Sequence, residues 1–384
     1  MLLGVIVGLI ILVLLVVVHE LGHGIVARRN GVVVEEFGIG FPPRAWGKKI
    51  KKSILGKNVL YSVNWLPLGG FVKLQGEHDA ADKKGDYGAA SYWQKTKILL
   101  AGVAMNWLAA AVLLSIVALF GLPKILPNQF TVPGDSRMTT LPLQVVYIEP
   151  GSPAEKSGIK GGDQLLRING ETMQTPEQLS HTTQKNKGKK IEIIYARGGK
   201  ETITTTTLPE KAQKGKGFLG VGTNSRQEIV TTWSAPIVGF VTTAQFSWYT
   251  LQATGNLAYN AFVGFISSLS SDKAARADGQ SKLSTVSASV AGPVGILGVI
   301  FPAAEQAGLK TLIVLTAFIS LSLAIMNILP IPALDGGRWF VMTIFRLLKK
   351  PLTKATEEKI QAIGFMILMA LVVLVTWADV GKFF

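Results

Sequence analysis

His19, Glu20 and His23 stand together in the run His19-Glu20-Leu21-Gly22-His23. On a helix, residues four apart share one face, about 6 Å apart along the axis. Two imidazoles so placed can hold one metal ion. The carboxylate beside the first can serve an attacking water as general base. The run closes a nearly unbroken apolar stretch, Leu2–Val18. An ionisable side chain inside a membrane span costs about 2.5 kcal/mol or more, so three together need a reason. The chain has four His, and two of them fall in this pattern. Two satisfied core histidines beside a chance Glu would leave that concentration unexplained.

Zinc in a hydrolase usually has three protein ligands and an open position. His78, in a charged loop, and His181, in a polar segment, are candidates for the third. Asp335 is the better one. It follows an apolar stretch in Asn327-Ile328-Leu329-Pro330-Ile331-Pro332-Ala333-Leu334-Asp335-Gly336-Gly337. Pro330 and Pro332 remove helix hydrogen bonds. Gly336 and Gly337 permit tight or left-handed backbone. Together they predict a broken helix end that aims Asp335 inward. An Asp that simply ends a span at the water interface is the alternative, and the His-Glu run is what favours a ligand.

The surrounding chain must hold these groups in a membrane. Of 384 residues, 48% are hydrophobic and 16% charged, below the roughly 25% of soluble domains. Mean hydropathy is +0.36. There is no cysteine, which excludes disulfides, thiolate zinc sites and thiol nucleophiles. Four stretches are long and apolar enough to span: about Leu2 to Ala27, Ile98 to Leu122, Leu309 to Leu329 and Ile360 to Trp377. The first lacks the basic start and cleavage site of a signal peptide and reads as a retained span.

The net charge of +15 is concentrated beside these spans. Arg28, Arg29, Arg44, Lys48, Lys49, Lys51, Lys52 and Lys57 follow the first, and Lys349, Lys350, Lys354 and Lys359 precede the last. That is the positive-inside pattern and contact with membrane lipids. No nucleic-acid motif accompanies it. The basic loops are then cytoplasmic, and both termini and the 123–308 connection lie outside. His19 sits roughly 27 Å along its span from the outer end, at 1.5 Å per residue, in the cytoplasmic half of the bilayer.

Within the connection the texture changes. Leu143–Ile148, Gln164–Asn169 and Lys190–Ala196 read as strands, and Thr175–Asn186 as a short helix. Gly217–Val221 reads as a linking strand. Residues 231–269 mix aromatic residues with Thr, Ser, Gln and Asn, which suggests an amphipathic helix on the outer membrane surface. Two further spans are the bolder alternative. Residues 270–286 read as a flexible loop, and Gly292-Pro293-Val294-Gly295-Ile296 as a turn before the third long span.

Taken together these motifs resemble the site-2 protease family, bacterial regulator-of-sigma protease group, over essentially the whole chain. HELGH at 19–23 is similar to the family's His-Glu-x-x-His, and NILPIPALDGG at 327–337 to its Asn-x-x-Pro…Leu-Asp-Gly motif. The resemblance implies Zn2+ held by His19, His23 and Asp335, with Glu20 as catalytic base. Gly69-Gly70-Phe71-Val72-Lys73-Leu74 resembles the group's re-entrant hairpin, a short strand whose edge could pair with a substrate strand. An ordinary cytoplasmic hairpin is the alternative. Gly102-Val103-Ala104-Met105-Asn106 resembles the Gly-x-x-x-Asn motif of the second core span, where small residues allow close packing. Asn106 and Asn327 could offer amide groups to the substrate. The run from Ile148 to Ile159, then Gly161-Gly162-Asp163 and Ile168-Asn169-Gly170, resembles a PDZ domain, a binder of extended peptides and C-termini.

The expectation is therefore a polytopic α-helical membrane protein of about four transmembrane helices, with an inserted extracytoplasmic PDZ α+β domain and a membrane-associated β-hairpin. Residues 1–122 and 309–384 form the membrane core, 123–222 the PDZ domain and linker, and 223–308 a surface helix and loop. The implied activity is regulated intramembrane proteolysis at a bacterial inner membrane. The substrate would be a single-span protein already trimmed outside, such as an anti-sigma factor, or a signal-peptide remnant. A non-enzymatic PDZ scaffold would leave the His-Glu-Asp set unexplained. A proton-coupled transporter would need an internal repeat, and none is visible.

Overall fold

The computed structural model describes residues 2–211 and 217–383. It has two compact units, one formed by Met1–Val117 with Gly239–Phe384, the other by Ala118–Val238. The first begins with helix α1 (Leu2–Arg29), whose last turn carries Arg28 and Arg29 and suits the negative end of the helix dipole. Two long strands follow, β1 (Val34–Ser53) and β2 (Gly56–Leu74). Both bend, so that each contributes two segments. Glu36–Ile39 pairs on one side with Gly70–Lys73, with numbers running oppositely. On its other side it pairs with Leu60–Val63, with numbers rising together. Leu60–Val63 in turn pairs with Trp46–Lys49. The segment at 70–74 is thus an edge of this small sheet. Helix α2 (Tyr92–Phe120) starts at a reciprocal cap between Ser91 and Gln94. It approaches α1 so closely that a Cβ on Gly22 would lie 2.5 Å from the Ala101 carbonyl oxygen.

The second unit carries strands β3 (Leu122–Pro123), β4 (Arg137–Thr140) and β5 (Leu143–Ile148), helix α3 (Pro153–Lys156), β6 (Gln164–Ile168), β7 (Glu171–Thr172), helix α4 (Pro176–Lys185), β8 (Lys190–Arg197), β9 (Lys200–Thr207), β10 (Val221–Asn224) and β11 (Gln227–Val230). The larger sheet has the order β10-β5-β6-β8-β9, with β7 beside β6. Alternating Leu143, Val145, Ile191 and Ile193 point to one core with Leu165, Ile168 and Leu179. Thr175 and Gln178 cap α4 reciprocally. The expected strand at 217–221 lies elsewhere. The chain forms its strand at Val221–Asn224 and pairs it with β5, so it completes the sheet rather than linking units. The turn before it is forced by Gly220, at φ +73°.

The first unit resumes at Gly239, within α5 (Ala235–Ser268), and continues through α6 (Lys273–Ser289), α7 (Pro293–Gly295), a π-helical turn (Ile296–Ile300), α8 (Phe301–Gln306), α9 (Leu309–Ile328), α10 (Asp335–Leu347) and α11 (Lys354–Phe383). Trp107 Nε1 donates to Ser247 Oγ at 2.9 Å, and Gly239 lies against Ser115, so this part of α5 packs antiparallel along α2. Contrary to the loop expected over 270–286, the chain is helical from Lys273. Asp272 caps it by accepting the Ala274 N–H, and Gly279 lets it press against α5 at Gly264. The expected turn at Gly292–Ile296 is a helix start, and the π-helical turn lets the Phe301 N–H reach the Ile296 carbonyl five residues back. Phe301 and Pro302 then pack on Gly8 and Gly4 of α1.

Among the described residues, five helical stretches rather than about four are long and apolar enough to cross a membrane: Leu2–Arg29, Tyr92–Phe120, Lys273–Gln306, Leu309–Ile328 and Lys354–Lys382. The fifth candidate, Lys273–Gln306, is not apparent in the sequence because Gly292, Pro293 and Pro302 punctuate its apolar part.

Candidate metal centre

α1 places His19 and His23 on one face, with their Nε2 atoms 3.1 Å apart. The helix end after α9 brings the third group. Leu329 is extended, Ala333 takes φ +76°, and α10 begins at Asp335. The left-handed residue is therefore Ala333, not either glycine. Gly336 and Gly337 serve a different need. A Cβ would lie 2.1 Å from the Ile328 carbonyl oxygen at Gly336 and 1.9 Å from that of Ile331 at Gly337. Only with hydrogen at both positions can α10 start against the preceding segment.

Asp335 Oδ2 lies 2.9 Å from His19 Nε2 and 3.2 Å from His23 Nε2. Both His side chains are buried. Three lone-pair atoms this close repel unless a cation or a shared proton lies among them. Tetrahedral zinc, at about 2.0–2.1 Å from N and O ligands, spaces those ligands by about 3.3 Å. The observed edges are close to that, and an N2O donor set suits the metal. His23 Nδ1 is 2.7 Å from the Ile98 carbonyl oxygen. Donating there fixes the tautomer and turns the Nε2 lone pair toward Asp335. The residues present fit zinc. His78 lies outside this cluster, beside a cavity it shares with Asp335, and His181 is on α4.

Glu20 faces the same space. Its Oε2 accepts the Val72 N–H at 3.0 Å, which shows that the outward edge of 70–74 looks onto the site. Of the other residues in the 69–74 run, Gly70 lies beside Val16 and the Glu20 side chain, Gly69 at φ +87° lies beside Phe41, Phe71 covers Gly38, Lys73 pairs with Glu35 at 2.9 Å, and Leu74 is buried. Glu20, His23, Val72, Tyr87, Asp335 and Arg338 line a cavity of about 230 Å³. Burial pushes the Tyr87 phenol well above its usual range, so it stays protonated.

Gly102 proves to be part of the site. A Cβ there would lie 2.4 Å from His23 Nε2 and 2.7 Å from His19 Nε2. Asn106, one turn further along α2, is buried, with Oδ1 unpartnered. Asn327 instead donates to the Leu323 carbonyl of its own helix at 3.0 Å. Tyr87 and Arg338 were not singled out from the sequence. Arg338 carried one signal, its place one turn after Asp335.

A helix-borne His pair, a carboxylate from a second helix and an adjacent Glu define the donor set of a zinc metallopeptidase. Residues 7–371 match the model of peptidase family M50. A Clostridium perfringens protein named as a candidate zinc metalloprotease is 32% identical over 366 residues, covering 95% of each chain. Zinc metalloprotease RasP of Geobacillus kaustophilus is 26% identical over 451 residues, covering 96% of each. Among solved structures, the PDZ domain of an SdrC-like protein from Listeria monocytogenes matches at 20% identity and TM-score 0.20, covering 24% of this chain and 93% of that one. The chain belongs to peptidase family M50, the site-2 protease type of zinc-dependent protease, and is a multi-pass membrane protein.

Proposed function

We propose that this protein cuts single-span membrane proteins within the bilayer, with His19, His23 and Asp335 as zinc ligands and Glu20 as general base. The observation that carries this reading is that the three ligand atoms meet, while Glu20, bonded to the strand edge at Val72, lines one cavity with His23 and Asp335. Zinc held there supplies a Lewis acid for the scissile carbonyl and lowers the pKa of water toward about 7. Glu20 takes a proton from the attacking water and passes it to the leaving amine nitrogen.

A peptide bond in an intact helix is shielded, so the substrate must unwind, and its freed backbone groups then need partners. The edge at Gly70–Leu74 supplies them. Pairing takes the Val72 N–H from Glu20 and frees the base at the moment the substrate arrives. Asn106 Oδ1 is available to a substrate N–H, whereas Asn327 contributes only if it exchanges its bond to Leu323.

The basic loops place the site toward the cytoplasmic half of a bacterial inner membrane, with both termini and the Ala118–Val238 unit outside, an arrangement that needs an even number of crossings and so has Lys273–Gln306 not crossing by itself. That unit is read as a PDZ domain. Among the described residues its sheet ends at β10, which pairs only with β5, and a peptide strand or C-terminus can add there. The substrate class is a single-span protein trimmed outside beforehand, or a signal-peptide remnant, with the PDZ unit restraining untrimmed substrate. Deleting the unit should speed cleavage of an untrimmed substrate, and no increase would remove the gate.

Chelation and refilling test the core of the reading. Cleavage of a single-span substrate in detergent should stop on zinc removal and return with added zinc in the wild type. His19→Ala and Asp335→Ala should not recover. Recovery in either variant would contradict the ligand assignment.

A further inference from the structure

Arg338 sits one turn after Asp335 on α10 and lines the same cavity as Glu20, His23 and Val72. Its side chain is only 20% exposed. Burying a guanidinium is unfavourable unless its donors are met. Here they are met by two separate parts of the chain. Nη1 donates to Glu77 Oε1 at 3.2 Å, and Nη2 donates to the Glu77 carbonyl oxygen. Nε donates to Glu357 Oε1 at 3.2 Å, at the start of α11. The cation lies 4.7 Å from the Tyr87 ring centre.

Glu77 lies three residues beyond Leu74, where the edge strand ends. Glu357 holds the same loop from its other side, its Oε2 accepting the Asp79 N–H at 2.9 Å. One planar group thus ties the helix that presents Asp335 to the loop that carries the strand at 70–74. A lysine at this position would keep the charge but could not engage side chain, carbonyl and second carboxylate together.

We propose that Arg338 is a positioning residue that sets the register of the 70–74 edge strand, and of any substrate backbone paired to it, against Asp335 through Glu77. The proposal rests on the reading above, in which Asp335 holds zinc and the strand receives substrate. It makes the strand a ruler fixed to the metal site rather than a loose platform. Displacing it moves the scissile carbonyl relative to Glu20 while leaving the ligands in place.

The test uses the full chain in detergent, a single-span substrate that the wild type cuts, and five proteins: wild type, Arg338→Lys, Glu77→Ala, the double variant and Asp335→Asn. Because misplacement by about 1 Å costs roughly 10²-fold, each single variant at Arg338 or Glu77 should lose about 10- to 100-fold in kcat, with KM within about threefold. Zinc should stay at the wild-type content. The double variant should fall no further than the weaker single, since the two act as one unit. A purely structural arginine would instead lower zinc content and kcat together. That result, unchanged kcat in both singles, or losses that multiply in the double variant would each overturn the proposal. Asp335→Asn separates the two levels. Zinc retained there overturns the ligand assignment and the proposal with it, whereas zinc lost there with unchanged kcat at Arg338 and Glu77 overturns the proposal alone.

Discussion

The Glu20 carboxylate accepts the backbone N–H of Val72 at 3.0 Å, across 52 residues of sequence. The residue read as the base is thus bonded to the strand read as the substrate platform. A strand edge normally leaves such groups to solvent or a partner. Here the partner is the carboxylate that the proposed chemistry needs free.

Val72→Pro removes that donor where the N–H points away from the sheet, which is where a strand tolerates proline. We expect zinc content to remain at the wild-type value and cleavage to fall by about tenfold, since the substrate backbone loses the Val72 N–H as a partner, a hydrogen bond worth up to about 1.5 kcal/mol. Unchanged cleavage would rule the edge out as a platform.

Gly102→Ala places a methyl group where both imidazoles lie. Overpacking of this kind costs about 1–3 kcal/mol. Falling on the metal-bound state, it should weaken zinc binding by about 10- to 100-fold, read by competition with a chelator of known affinity. Wild-type affinity would mean that α2 yields without moving the ligands.

The Ala118–Val238 unit has its own acid sensitivity. Burial alone would raise the Asp163 carboxyl, but Arg197, donating twice at 2.7 Å, and the Lys160 N–H outweigh it and hold it below its ordinary value. A carboxyl whose folded value is depressed contributes stability above its unfolded pKa of about 3.9 and loses it as pH falls through the folded value. Hydrogen exchange at 143–168 in the full chain should therefore stay protected at neutral pH and loosen below about pH 4. Asp163→Asn should loosen it by about 2 kcal/mol already at neutral pH, the worth of hydrogen bonds to a charged group. Equal protection of variant and wild type at pH 7 would contradict this.

The candidate site was legible in the sequence because each proposed ligand carries its own local signal. The i, i+4 spacing of His19 and His23 needs only a helix, and Pro330 and Pro332 announce a break before Asp335. What stayed hidden depends on contacts between distant segments. Gly102 reads as a packing glycine until the histidines are seen against it. Glu77, Arg338 and Glu357 read as ordinary solvated charges, since nothing local says that 261 residues of chain fold back to join the first two. The helix at Lys273–Ser289 was missed for another reason. Its Ser and Lys content looks like loop, while the Asp272 cap and the Gly264–Gly279 contact that stabilise it depend on structure.

The most direct test compares wild type with Glu20→Gln, purified in detergent, for zinc per chain and for cleavage of a single-span substrate. Both proteins should hold about one zinc per chain, as expected of a three-ligand site, and Glu20→Gln should lose about 10²- to 10⁴-fold in rate, the worth of a general base. Equal cleavage by the two proteins, or a wild type that cuts without zinc, would contradict the account.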